Sequence, residues 1–354
     1  MLALGNQLHR FGQPAEVLAE VSPYYELIMI SIVPTILFQV MRQFSESLER
    51  PVMPMVIMLA GVALNVLLNW ILIYGNWGAA EMGLTGAGWA TLISRWVGVG
   101  VIWIWIKQSK CFTAAWPTGW WSGYTWHRFK RLLALGIPIG FSLSFEAGAF
   151  GAAAIMMGWM GSMALAAHQI AISCAAFTFM VPLGMAMAVS IRVGRAVGEK
   201  RLAALRPIGD SAQIMSALFM GACAFTFVVA GEPLAAAFVK ETNVIALAAK
   251  LLIIAAIFQI ADGAQVVAAS GLRGLTDVKV PTVLTALAYW GMALPGGWWL
   301  GFRTDWGPMG VWIGLAAGLI FAAVALIYRF TRMTRDEGIH VQLEKSTEPV
   351  TEMS

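Results

Sequence analysis

The sequence has little charge, few histidines and few cysteines. Only 12% of its 354 residues are Asp, Glu, Lys or Arg, whereas 59% are apolar, and it has four histidines and three cysteines. This composition, with a mean hydropathy of +0.74, lies outside the range of soluble domains. The scarcity of charge therefore excludes a soluble enzyme and indicates an integral membrane protein in contact with membrane lipid.

Motifs of enzymes and of nucleotide-binding proteins are also missing. The cysteines have no metal-binding or redox spacing, and neither HExxH nor GxSxG occurs, so His168 stands without a catalytic motif. The net charge of +4 comes from Lys and Arg residues spread between apolar segments, not from a basic patch with interleaved aromatics. We expect neither an enzyme, nor a nucleic-acid or ATP-binding protein, nor an organic cofactor.

Nine apolar segments are each long enough to cross a bilayer as a helix, since about 20 residues span about 30 Å of hydrocarbon. The sequence thus predicts an all-α polytopic protein with about nine transmembrane helices. The predicted segments are 22–44, 54–74, 86–106, 132–160, 165–191, 211–230, 246–269, 281–301 and 309–330.

Basic residues orient these segments, because cytoplasmic loops contain an excess of Lys and Arg. Of the 23 basic residues, 18 lie in alternate connections and at the C-terminal end, on one side of the membrane. The other side has Arg10, Lys240, Lys250 and Arg303, while Arg95 lies inside a predicted helix. The C-terminus is therefore predicted to be cytoplasmic.

Two carboxylates lie inside apolar segments. Asp262 falls within 246–269 and Glu146 within 132–160. A charged group at the centre of a membrane helix costs roughly 2.5–3.5 kcal/mol on insertion scales, so such residues usually mark an ion or substrate path. Gln259, Asp262 and Gln265 are spaced three apart, which places them on one face of the helix.

The two acids suggest a cation-coupling site. An apolar environment favours the protonated form of a carboxyl group, and two neighbouring carboxyl groups favour it further, so Glu146 and Asp262 can take up and release H⁺. Their oxygens could alternatively hold Na⁺, a hard cation. A purely structural alternative is that each acid stays protonated and only bonds to neighbouring helices.

Other polar residues in apolar segments are candidates for contact with substrate. Gln39 and Gln43 are four apart in segment 22–44, and Asn65 and Asn69 are four apart in segment 54–74. Each pair shares a helix face that either lines a cleft or bonds to a neighbouring helix. The spacing leaves both options open.

An internal repeat relates the start of the chain to its end. At an offset of 227, Pro54 falls on Pro281, and a three-residue deletion then brings Gly83 and Gly86 onto Gly307 and Gly310. Repeated halves are common in transporters. The first three predicted helices then correspond to the last three. The three middle helices have no counterparts, as though about three helices in front of the first were absent from this sequence.

Five motifs carry a resemblance to a known family: LNVLLNWILIYG, GLTGAGWATLISR, AAHQIA, VSIRVGRAVGEKR and AASGLRGLTDVKVP. In this order they resemble the multidrug and toxic compound extrusion (MATE) transporters of the NorM-like type. The resemblance implies two six-helix lobes around a central cleft. It divides the chain into a partial N-terminal lobe at 1–107, a cytoplasmic linker at 108–131, a complete C-terminal lobe at 132–331 and a polar cytoplasmic tail at 332–354.

The resemblance also implies a function. It places Glu146 and Asp262 at the family's cation-binding positions. Phe258, Gln259 and Gln265 are further candidates for contact with substrate or for lining the cleft. Phe258 stands where some members have a tyrosine that contributes to the site, so a hydroxyl is lost. The implied protein is a bacterial inner-membrane antiporter that exports cationic, amphipathic drugs and organic cations against H⁺ or Na⁺. The alternative is a shortened chain that does not transport by itself or needs another subunit.

Overall fold

The computed structural model describes residues 15–113 and 125–335, with side chains from residue 21 onward, and in these ranges the regular structure is helical throughout. This confirms the all-α prediction. The α-helices are α1 (Ala15–Ile30), α2 (Ile32–Ser47), α3 (Val52–Tyr74), α4 (Gly83–Gln108), α5 (Trp126–Trp159), α6 (Ser162–Gly198), α7 (Leu205–Val229), α8 (Gly231–Ala236), α9 (Thr242–Gly274), α10 (Lys279–Ala286), α11 (Leu294–Phe302) and α12 (Pro308–Met333).

Eight helical spans in the described ranges are long and apolar enough to cross a membrane. They coincide with eight of the nine predicted segments. The ninth, at 281–301, is also helical but irregular, because a π-helical stretch, Leu287–Ala293, joins α10 to α11. Pro295 explains the irregularity, since it has no N–H to donate to the carbonyl group of Gly291. The N–H of Leu294 instead bonds to the carbonyl oxygen of Tyr289, five residues back.

The first predicted segment is also interrupted by a proline. Ser31 separates α1 from α2, and Pro34 follows three residues later. Because Pro34 has no N–H, the carbonyl group of Ile30 lacks its usual helical partner, which loosens the turn around Ser31. The hydroxyl of Ser31 donates to the carbonyl oxygen of Ile28 at 2.7 Å.

The chain divides into two compact units, Met1–Ser122 and Gly123–Ser354. The boundary falls inside the predicted linker at 108–131. Residues 114–124 of that linker and 336–354 of the predicted tail lie outside the described ranges. Within unit 2, α5 begins at Trp126, before the predicted start of its segment, and the Thr125 hydroxyl caps it by accepting from the N–H of Arg128 at 3.4 Å.

Helix α9 is at the centre of unit 2 and packs mainly against α6, α7 and α12. Many of its apolar side chains are buried, from Val244 and Leu251 to Leu272, whereas one face with Ile253 and Ile257 is exposed. The fully buried ring of Trp312, from α12, belongs to the same core. Being enclosed on several sides, α9 is a position where polar side chains must find partners within the protein.

In unit 1, α4 packs against α1, α2 and α3. The glycine pairs of the predicted repeat share a geometry. Gly83 and Gly307 have left-handed φ values of 51° and 50°. A Cβ on Gly86 would lie 2.6 Å from the carbonyl oxygen of Leu72, and one on Gly310 would lie 2.5 Å from the carbonyl carbon of Leu300. Both copies of the predicted repeat therefore have a glycine turn followed by a close contact between helices.

We expect Gly310→Ala to lower the free energy of unfolding by about 1–3 kcal/mol, because its methyl group has no room beside the backbone of α11. The matched control is Gly151→Ala in α5, where nothing lies within 4 Å of an added Cβ and the alanine favours the helix. The midpoint of thermal unfolding in detergent measures both. Equal midpoints for the two variants would contradict the close contact.

Candidate functional site

The predicted polar face of α9 is buried inside unit 2. Gln259, Asp262 and Gln265 have only 1%, 6% and 3% of their surface exposed. Their spacing of three keeps them on one side of the helix, which here faces neighbouring helices. The structure thus encloses three polar side chains in the core of a membrane-spanning unit.

Both glutamines are held by hydrogen bonds from neighbouring elements. The Thr178 hydroxyl of α6 donates to Oε1 of Gln259 at 3.0 Å, and Nε2 of Gln259 donates to the carbonyl oxygen of Met220 in α7 at 3.4 Å. The Tyr289 hydroxyl, from the π-helical stretch, donates to Oε1 of Gln265 at 3.1 Å. The two amides that flank Asp262 are therefore oriented by three different elements.

The carboxyl group of Asp262 is different, because its buried Oδ1 has no hydrogen-bond partner among the described residues. The Oγ atom of Ser216 in α7 is likewise buried without one. This hydroxyl lies 2.7 Å from the point where a Cβ atom on Gly263 would be, and Gly263 follows Asp262 in the chain. A buried oxygen without a partner is unfavourable by about 1–3 kcal/mol, so the site is suited to take up a proton or a cation.

Glu146 belongs to the same electrostatic site. It is half-buried on α5, and its charge interacts with that of Asp262 and with the Arg273 guanidinium near the end of α9. Helix packing thus places the two acids that the sequence singles out within electrostatic range of each other. Across the described ranges, no group of three or more His, Cys, Asp or Glu side chains could hold a metal ion.

Phe258 lies one helical turn before Asp262 on α9 and has a buried apolar ring. It is 1% exposed and packs against Phe150 and Trp312, with ring centroids 5.9 and 5.7 Å apart. Tyr289 is fully buried and its ring lies 6.1 Å from that of Phe150. Its hydroxyl interacts electrostatically with Glu146 and Asp262, so a tyrosine from another element supplies a hydroxyl near the site where Phe258 has none.

Sequence reasoning did not identify Tyr289 or Ser216 as members of this site. The signal for Tyr289 was a phenol inside an apolar run, which needs a partner when it is buried. Nothing in the spacing of Ser216 distinguishes it from other small residues in α7. Its place beside Gly263 depends on how α7 packs against α9.

The polar candidates of unit 1 have different positions. Gln39 and Asn65 line a cavity within this unit. Asn69 lies behind Asn65, and its Nδ2 donates to Oδ1 of Asn65 at 3.0 Å. Gln43 is exposed and is not part of the cavity wall. Asn65 and Asn69 thus hydrogen-bond to each other along α3. Of the two predicted pairs, only Gln39 and Asn65 line the cavity.

Comparison with known proteins identifies relatives along most of the chain. The sequence model of the MatE family matches residues 1–71 and 138–299. The chain is 38% identical over 332 residues to a probable multidrug resistance protein NorM of Mesorhizobium japonicum, covering 92% of this chain and 70% of that protein. It is 36% identical over 319 residues to the multidrug resistance protein NorM of Photobacterium profundum, covering 88% and 70%.

A solved structure shares the fold. The Vibrio cholerae MATE transporter VcmN in its bent form superposes with a TM-score of 0.84, covering 96% of this chain and 76% of that one at 23% sequence identity. The helical arrangement is thus similar despite the low sequence identity.

We expect Tyr289→Phe to lower the free energy of unfolding by about 1–3 kcal/mol, because Gln265 Oε1 loses its donor in the core. The matched control is Tyr328→Phe on α12, where the tyrosine is 67% exposed and little change is expected. Thermal unfolding of both purified variants provides the measurement. A midpoint for Tyr289→Phe equal to that of the control would show that its hydrogen bond does not stabilise the site.

Proposed function

The chain belongs to the multidrug and toxic compound extrusion (MATE) family, a family of transporters rather than enzymes, and on this premise we propose that it is a multidrug efflux antiporter. In this proposal, export of amphipathic drugs, including organic cations, is driven by entry of H⁺ or Na⁺. The names of the relatives as multidrug resistance proteins support the class of substrate.

The observation that carries the proposal is the buried, unpartnered carboxyl oxygen of Asp262. The amides of Gln259 and Gln265 are already hydrogen-bonded, so the carboxyl group of Asp262 is the part of the site that would bind an exchangeable ion. A proton or a cation bound there would stabilise the state of the protein in which the site is closed. An ion can drive transport in this way only if it binds two conformations with different affinity.

Glu146 would complete the coupling site. Because its charge interacts with that of Asp262, occupation of one carboxyl group changes the proton affinity of the other. Oxygen atoms of the two acids could hold Na⁺ in place of H⁺. Phe258 has no hydroxyl to offer such a cation. The buried phenol near the site is instead that of Tyr289, whose hydroxyl donates to Gln265.

Gln39 and Asn65 are proposed to contact the transported compound, because both line the cavity in unit 1. Asn65 is fixed by two hydrogen bonds, from Asn69 and to Ser94 Oγ. Gln39 has none in the described part of the chain, so its amide is available to a ligand. A wall with few fixed polar groups among apolar ones suits recognition of varied amphipathic molecules.

The membrane spans are established by their length and apolar composition, whereas orientation is part of the proposal. The excess of basic residues on one side supports a cytoplasmic C-terminus in a bacterial inner membrane.

We expect Glu146→Gln and Asp262→Asn each to abolish ion-driven efflux while membrane insertion remains intact, because each removes a carboxylate that would bind the coupling ion. The matched control is Asp305→Asn, an exposed acid between α11 and α12. Drug flux is measured in proteoliposomes under an imposed H⁺ gradient and, separately, under a Na⁺ gradient. Normal flux in either site variant under the gradient that drives the wild type would refute a coupling role.

Cysteines introduced singly at Arg128 and Arg206 should react with a membrane-impermeant maleimide only from the cytoplasmic side, and one at Lys240 only from outside. All three positions are exposed, and the asymmetry of basic residues sets their sides. The background has the three native cysteines replaced by serine. Labelling of Lys240→Cys from the cytoplasm would reverse the proposed orientation.

A further inference from the structure

The two acids of unit 2 lie on helices that are not principal packing partners. Helix α5, with Glu146, packs mainly against α6 and α10, whereas α9, with Asp262, packs mainly against α6, α7 and α12. The distance between the two carboxyl groups therefore depends on the elements that join α5 to α9.

The indole ring of Trp290 lies against the turn of α5 that carries Glu146. Its Nε1 donates to the carbonyl oxygen of Phe145 at 3.1 Å. Its Cζ2 atom lies 3.2 Å from the point where a Cβ atom on Gly148 would be, so the glycine gives the ring room to approach. Glu146 thus lies between the two residues that the indole touches.

Tyr289, the preceding residue, contacts the other acid-bearing helix. Its hydroxyl donates to Oε1 of Gln265 at 3.1 Å, three residues after Asp262 on the same face of α9. Its ring is fully buried, and its hydroxyl interacts electrostatically with both acids. Tyr289 therefore holds α9 at the level of Asp262.

Both residues belong to the π-helical stretch Leu287–Ala293. Consecutive side chains of a helix point about 100° apart, so adjacent residues of one stretch reach two different helices. Trp290 is 49% exposed, and its place on α5 depends on its hydrogen bond and its contact with Gly148 more than on burial. Tyr289 and Trp290 thus form a pair, here called the bridging pair, that joins α9 to α5.

Helix α10, which leads into the π-helical stretch, is attached along one face of α5. Oγ1 of Thr282 lies 2.8 Å from the carbonyl oxygen of Pro138, and the Ser142 hydroxyl donates to Oγ1 of Thr285 at 3.4 Å. Ser142 and Glu146 are one turn apart on this face. The bridging pair continues this series of contacts to the level of Glu146.

From this geometry we infer that Trp290 is a positioning residue of the ion site. Its indole N–H, together with the hydroxyl of Tyr289, attaches the turn with Glu146 and the turn with Asp262 to one short element and so sets the distance between the two carboxyl groups. The effect on transport rests on the proposed function, whereas the attachment of α5 to α9 does not.

The distance matters because electrostatic attraction falls as charges separate, so two carboxyl groups that move apart hold one ion less tightly. Glu146 also interacts with Arg273 near the end of α9. A Glu146 that is no longer held at its position therefore has a fixed cation to turn to in place of the exchangeable one.

A distance measurement tests the attachment without transport. Spin labels are placed on cysteines introduced at Ser144 and Ile260, which are exposed and lie two residues before Glu146 and Asp262. The three native cysteines are replaced by serine. Double electron–electron resonance on the purified full chain in phosphatidylcholine nanodiscs then gives the distribution of distances between α5 and α9.

We expect Trp290→Phe to broaden or shift this distribution, because the carbonyl group of Phe145 loses its indole donor. The matched control is Trp299→Phe on α11, a tryptophan that is 58% exposed, and it should leave the distribution as it is. An unchanged distribution in Trp290→Phe, or an equal change in the control, would overturn the inference.

A second replacement separates the N–H from the size of the ring. 3-Benzothienylalanine at position 290 keeps a bicyclic ring and has sulfur where the indole has its N–H, so it also serves where Trp290→Phe fails to fold. We expect the same change of the distribution as in Trp290→Phe. A distribution equal to that with tryptophan would overturn the role of the N–H.

Flux measurements then give the consequence for transport. Ethidium flux in proteoliposomes is recorded at a series of ion concentrations, under the H⁺ or Na⁺ gradient that drives the wild type. We expect Trp290→Phe to raise the half-saturating ion concentration about three- to tenfold, with the maximal flux within about twofold of the wild type. A bond that only stabilises the fold would lower the midpoint of thermal unfolding without this change.

An unchanged half-saturating concentration in Trp290→Phe would overturn the positioning role. A wild type without ion-driven flux would instead overturn the proposed function, and the distance measurement would still decide whether Trp290 attaches α5 to α9. Failure of the inference and failure of the proposed function are thus distinguishable.

Discussion

A bilayer interior has no water to satisfy a buried polar group, so polar side chains within the spans depend on partners from the protein itself. In unit 2 it explains why Gln259 and Gln265 are each held by hydrogen bonds from other elements. Among the described residues, Oδ1 of Asp262 is one of five buried polar side-chain atoms without a hydrogen-bond partner. It is the only carboxylate oxygen among these five, which is why we propose an exchangeable ion as its partner.

Irregular helices supply polar groups in both units. In unit 1 the break before Pro34 positions Ser31, whose hydroxyl and carbonyl oxygen receive Arg95. In unit 2 the π-helical stretch before Pro295 contains Tyr289, whose hydroxyl reaches Gln265. Departures from regular α-helix often occur at functional sites, since they re-aim side chains that an ideal helix would direct elsewhere. Here both departures follow from a proline that cannot donate to the preceding turn.

The sequence by itself determined the class of protein, the nine apolar segments and the shared face of Gln259, Asp262 and Gln265. These features depend on local pattern, namely apolar length and helical periodicity. Only the tertiary structure decided that Tyr289 and Ser216 lie near the acids, that Gln43 lies outside the cavity wall, and that Arg95 bonds to Ser31. Those facts depend on which residues distant in the chain meet when helices pack, and a helical period assigns a side chain to a face without naming the neighbour it will touch.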